Sequence, residues 1–179
     1  MPMRRSDPRW LIVTLANLLL WWLTGLLNHY LAGFSVHFYL GGLLLVYAAL
    51  RLDPKHGLIA MVLTSLLVDA LDPVPFGTSL VLFSIVHLTV LYGRQRFPRE
   101  GAIFGIVVAL LANLFLFIAL SFLLVGTNPR PADAWLRIFC DLFFSQVAIF
   151  LVAPWFLALQ DRAMELAAIH PETGRPVSR

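Results

Sequence analysis

The chain has 179 residues, of which 60% are hydrophobic and 13% charged, and its mean hydropathy is +0.83. This balance excludes an ordinary soluble globular domain. Backbone in lipid must satisfy its own hydrogen bonds, and the apolar runs are too long for barrel strands, so the fold class is all-α with membrane-spanning helices. The net charge of +3 comes from residues gathered in short loops, which argues for membrane orientation and against nucleic acid.

Six apolar runs separated by Pro- and Gly-bearing breaks predict six spans. The first covers about 10–28. Its leader, MPMRRSDPRW, has the charge of a signal peptide, but the run is long and has no clear A-x-A site, so a retained span is expected. His29 and His37 flank the loop that follows. No third ligand accompanies them, and solvated loop histidines are expected rather than a metal site. The second, third and fourth spans, 35–50, 57–72 and 78–93, each have about 16 residues, or about 24 Å of helix. They must stand upright, thin the bilayer or be shielded by neighbours, and shielding fits a compact bundle.

The third span ends in SLLVDALDPVPFGTSL, which places Asp69 and Asp72 beside Pro73, Pro75 and Gly77. An ionisable group inside a span costs several kcal/mol unless paired or hydrated. Asp69 lies about 5 Å below the end of the helix by the 1.5 Å rise. Asp72 precedes a proline, a position that disfavours αR, and is expected to end the helix at the interface. The fourth span carries His87 and the fifth, 101–125, carries Asn113. Both fall near mid-bilayer, where an imidazole and an amide could bond across helices for about 1 kcal/mol, although a satisfied packing role for His87 is the commoner outcome. Gly101 and Gly105 form a GxxxG at the start of the fifth span, suited to close packing within the bundle.

In the sixth span, 134–159, Asp133, Arg137, Asp141 and Ser145 recur at i,i+4 and form one polar stripe. Arg137 falls at a depth similar to that of Asp69. Two arrangements follow: an interhelical Asp69–Arg137 pair with Asp141 sharing the guanidinium, which is favoured slightly, or Arg137 paired along its own helix with Asp69 facing water. Cys140, within the same run, reads as a small buried hydrophobe without a disulfide partner. Residues 1–160 are thus expected to form a six-helix membrane domain, and 161–179 a polar, disordered cytoplasmic tail.

With the N-terminus in the cytoplasm, six spans put eleven of the 13 Lys and Arg residues inside and leave only Arg130 and Arg137 outside, as the positive-inside rule requires. Trp10 and Trp155 at inner ends and Trp135 at an outer end sit where aromatic belts form. No H-E-x-x-H, G-x-S-x-G, phosphate-cradling loop or Cys/His set occurs. Neither enzymatic activity nor a cofactor is expected.

The run from Gly57 to Leu88, GLIAMVLTSLLVDALDPVPFGTSLVLFSIVHL, resembles the central segment of the rod shape-determining protein MreD family. There a span ends in an Asp and a short turn leads to a Gly eight residues later that opens the next span, here Asp69 and Gly77. The chain departs from the family pattern at Ser65 and at Asp72-Pro73. The resemblance implies a multi-pass protein of the bacterial inner membrane. Such a protein would be a non-catalytic scaffold of the cell-elongation machinery, bound to an MreC-like bitopic protein and, through it, to actin-like MreB and the peptidoglycan synthases. MreD proteins are similar in fold to the substrate-binding subunits of energy-coupling-factor vitamin transporters, which supply the alternative function. Those subunits typically carry an A-x-x-x-A docking face on the first span, and here Ala16 is followed by Leu20.

Overall fold

The computed structural model describes residues 8–34, 36–72, 74–94, 102–125 and 131–167. They form six α-helices: α1 (Arg9–Leu31), followed by a 3-10 turn at Ala32–Phe34, then α2 (Gly41–Arg51), α3 (Pro54–Leu71), α4 (Thr78–Gly93), α5 (Ala102–Val125) and α6 (Pro131–Leu166). No strand occurs among the described residues. Four of the helices, α1, α3, α5 and α6, are long and apolar enough to cross a membrane, and α2 and α4 are shorter. The protein is therefore an all-helical, multi-pass membrane protein by length and composition.

The bundle is built around α2. Every residue from Gly41 to Ala49 is buried, and the helix touches all five others, as expected of a helix that is apolar on every side. Its closest neighbour is α5. A Cβ on Gly42 would collide with the backbone of Asn113 and come within 2.5 Å of the Ala109 carbonyl, so only glycine permits this approach. On the outside of the bundle, Leu15 and Trp22 of α1, Phe115 and Phe122 of α5, and Phe139, Phe143 and Phe150 of α6 are exposed. This belongs against lipid rather than water.

Three expectations are corrected. The second span, expected over 35–50, is helical only from Gly41 to Arg51, and residues 36–40 are non-helical. At 11 residues, or about 16 Å, α2 reaches only half-way through a core of about 30 Å. The sixth helix continues to Leu166, beyond the expected end of the membrane domain at 160, because Met164 is buried against Val13, Tyr47 and Leu52. Cys140 is exposed, not buried. Residues 168–179 of the expected tail lie outside the described residues, as do Pro73 and Gly101.

Candidate functional site

The first turn of α4 has no cap of its own, since its N-cap is Gly77 at φ 94°. Only glycine adopts this left-handed conformation freely. The missing acceptor comes from the preceding helix. Asp69, 4% exposed near the end of α3, accepts from Gly77 N (3.0 Å) and Leu80 N (3.1 Å) through Oδ2 and from Ser79 N (2.8 Å) through Oδ1. A carboxylate satisfied by three N–H groups at the positive end of a helix is stable when buried. Thr78 tightens the turn by donating its hydroxyl to the Pro75 carbonyl at 2.7 Å.

The favoured Asp69–Arg137 pair is thereby corrected. Both Asp69 oxygens are occupied by backbone, and Arg137 lies 3.9 Å from Asp141 of its own helix with 63% of its side chain exposed. The i,i+4 alternative holds for Arg137, but Asp69 does not face water. The arginine is too well solvated to compete with three fixed N–H donors.

Asp141 and Ser145, the inner part of the polar stripe, hold the non-helical segment 36–40. His37 N donates to Asp141 Oδ1 (2.9 Å), Phe38 N to Asn28 Oδ1 (2.8 Å) and Tyr39 N to Ser145 Oγ (3.0 Å). Asn28 Nδ2 donates in turn to the Phe38 carbonyl at 2.9 Å. Gly42 N, in the first turn of α2, donates to Asn113 Oδ1 at 3.1 Å. Four backbone donors of one segment are thus satisfied by side chains of α1, α5 and α6. That is the condition under which irregular backbone is tolerated at membrane depth. Asn113 serves this purpose and does not bond His87, whose ring is fully buried with neither nitrogen hydrogen-bonded. His87 instead packs beside Gly57, at the α3–α4 contact. Gly105 packs against Leu157 of α6, whose Cδ1 lies 3.0 Å from where a Cβ would stand.

Deeper in the bundle, Asn17 Nδ2 donates to the Leu44 carbonyl (2.8 Å) and Thr64 Oγ1 (3.2 Å), and Gln160 Nε2 donates to Asn17 Oδ1 (3.4 Å). At the end opposite Asp69, Arg94 donates to the carbonyls of Ala49 and Leu52, both at 2.8 Å, and so closes the C-terminus of α2. Tyr47 donates its hydroxyl to Asp161 at 2.9 Å. Asp53 caps α3 through His56 N and holds the His56 ring at 2.6 Å. Burial works against the Asp53 charge, but the His56 bonds win and hold its carboxyl below the usual range.

Asp72, at the turn between α3 and α4, differs from Asp69. Its backbone N–H ends α3 on the Val68 carbonyl, while its half-buried side chain makes no hydrogen bond or ion pair. Burial, and then the neighbouring Asp69 charge, push its pKa up to about 6. Beside the turn, Val74, Pro75, Thr78, Leu120, Leu123 and Leu124 line an apolar cavity of about 120 Å³. No cluster of metal-ligating side chains occurs among the described residues, and His29 and His37 do not form one.

Compared with family models, curated proteins and solved structures, the chain matches none.

Proposed function

We propose that this protein is a non-catalytic scaffold of the bacterial cell-elongation machinery, seated in the inner membrane and bound to an MreC-like bitopic protein. Through that partner it communicates with actin-like MreB and the peptidoglycan synthases. The observation that carries this reading is the Asp69–Gly77 unit. The two residues on which the resemblance to the MreD family rests are joined directly, Gly77 N to Asp69 Oδ2, and together they build the turn between α3 and α4. With this spacing the turn returns the chain so that α4 starts on a carboxylate in the last turn of α3.

In this reading the chain crosses the membrane six times with both termini in the cytoplasm, and the Asp69 end faces outward. Crossing by α2 is completed by the segment 36–40. A central helix buried along most of its length supports scaffolding over ligand capture. The middle of the bundle is filled by α2, and the cavity at the outer turn, about 120 Å³, falls well short of the roughly 300–1,000 Å³ of small-molecule sites. Two measurements on the purified protein decide between this reading and the vitamin-transporter subunit. Co-purification with the organism's own MreC-like protein supports the scaffold. Thermal stabilisation by micromolar riboflavin, thiamine or biotin would overturn it.

A further inference from the structure

One exposed cation stands at the head of an apolar helix face. At the end of the bundle that holds the α3–α4 turn, Leu123 and Leu124 of α5 lie beside Val74 and Pro75, and Phe122 of α5 meets Trp135 of α6 at 5.1 Å. Arg137 is the only exposed Asp, Glu, Lys or Arg at this end among the described residues. Its side chain is 63% exposed and donates no hydrogen bond, because the Asp141 carboxylate stands 3.9 Å from Nε, beyond hydrogen-bond reach. Asp141 is turned inward instead, where Oδ1 accepts from His37 N at 2.9 Å. The Nη groups of Arg137 are thus left without a protein acceptor. Further along α6, Cys140, Phe144, Val147 and Leu151 follow Arg137 at i+3, i+7, i+10 and i+14, and all four are exposed. That spacing sets them on one stripe of the helix, about 21 Å long and so long enough to cross one leaflet of a bilayer core of about 30 Å.

We propose that Arg137 and this stripe bind a phosphate-bearing lipid, with the phosphate on the two Nη groups and an acyl chain along Cys140, Phe144, Val147 and Leu151. Charge complementarity selects the headgroup. A guanidinium fork matches two phosphate oxygens, and a cation facing hydrocarbon without a counter-ion costs several kcal/mol. Asp141 turns the fork outward by drawing Nε towards itself, and at 3.9 Å it compensates the charge only in part. A soluble anion would satisfy the fork and leave the stripe bare, whereas an apolar helix would cover the stripe and leave the cation unpaired. A lipid phosphate with its chain does both. The site requires only that the protein sits in a bilayer, and it stands whether or not the protein is a scaffold.

The experiment uses the full chain purified in dodecyl maltoside, which carries no phosphate. Melting temperature is followed as phosphatidylglycerol, diacylglycerol with the same acyl chains, or sodium phosphate at constant ionic strength is added to wild type, Arg137→Gln and Arg137→Lys. Phosphatidylglycerol should stabilise wild type at concentrations where diacylglycerol has little effect and sodium phosphate has none. Arg137→Gln should start from the wild-type melting temperature and need about tenfold more phosphatidylglycerol for half of the shift. Arg137→Lys, which keeps the charge and loses the fork, should fall between them. The same titration for Arg137→Gln as for wild type would overturn the site. Equal stabilisation of wild type by diacylglycerol would reduce the effect to acyl-chain burial, and equal stabilisation by sodium phosphate would leave a small-anion site; either result overturns the lipid assignment.

Discussion

Replacing Asp69 by alanine tests whether the turn between α3 and α4 depends on a buried carboxylate cap. The substitution removes the acceptor of three N–H groups, those of Gly77, Ser79 and Leu80. Hydrogen bonds to a charged group contribute about 1.5–3 kcal/mol each, and an ordinary N-cap is worth about 1 kcal/mol. The three bonds share one carboxylate and water reaches the membrane interface, so the sum is not additive, and a loss of about 3 kcal/mol is expected. For a chain of this size that corresponds to a fall in melting temperature of about 6–12 °C. Asp69→Asn keeps one acceptor oxygen but presents an amide N–H₂ to the remaining donors, and should fall between alanine and wild type. Arg137→Ala removes only a largely solvated i,i+4 contact and should stay within about 0.5 kcal/mol of wild type. Fluorescence-detected thermal unfolding in one detergent, with all four proteins side by side, provides the comparison. A wild-type melting temperature for Asp69→Ala would refute the cap. Equal losses for Asp69→Ala and Arg137→Ala, with a milder double mutant, would restore the interhelical pair.

Gly42→Ala should lower the melting temperature by an amount corresponding to about 2 kcal/mol or more, because its Cβ meets the backbone of Asn113 and Ala109 rather than a flexible side chain; a neutral result would mean that α2 and α5 are further apart. Because the folded pKa of Asp72 lies above that of an unfolded aspartate, the folded state holds the extra proton between about pH 4 and pH 6. The stability due to this group is therefore present below the unfolded pKa and lost as pH rises through about 6. The difference in melting temperature between Asp72→Asn and wild type should widen over that interval and level off above it, and a constant difference would contradict the burial of this carboxyl. Reporter fusions after Thr127 should read extracytoplasmic and fusions after Arg96 cytoplasmic; a cytoplasmic signal at Thr127 would invert the orientation or remove a span.

The apolar runs placed the helices well because hydropathy measures what lipid demands, and the bounds of α4 and α5 follow the runs within a residue. The second span misled because composition along FYLGGLLLVYAAL is equally apolar whether the backbone is helical or extended. What holds the non-helical backbone and the first turn of α2 is a set of acceptors on other helices: Asn28, Asn113, Asp141 and Ser145. The i,i+4 spacing of Asp141 and Ser145 announced a polar stripe without saying that its partners are backbone N–H groups. Asp69 was legible as a residue needing a reason to be buried, but not its partner. Charge pairing suggests an arginine, whereas a glycine N-cap offering no side chain of its own was the better signal. Arg94 and Asn17 carried no local pattern at all, because each acts on carbonyls presented by a helix from another part of the chain.

The central claim, a scaffold for wall elongation, is tested most directly by depleting the protein in the bacterium that encodes it and measuring cell width and length by microscopy. The account predicts that cells widen and round, that the wild-type gene restores their shape, and that Asp69→Ala expressed to the same level restores it poorly. Cells that keep their dimensions through depletion to undetectable protein would contradict it.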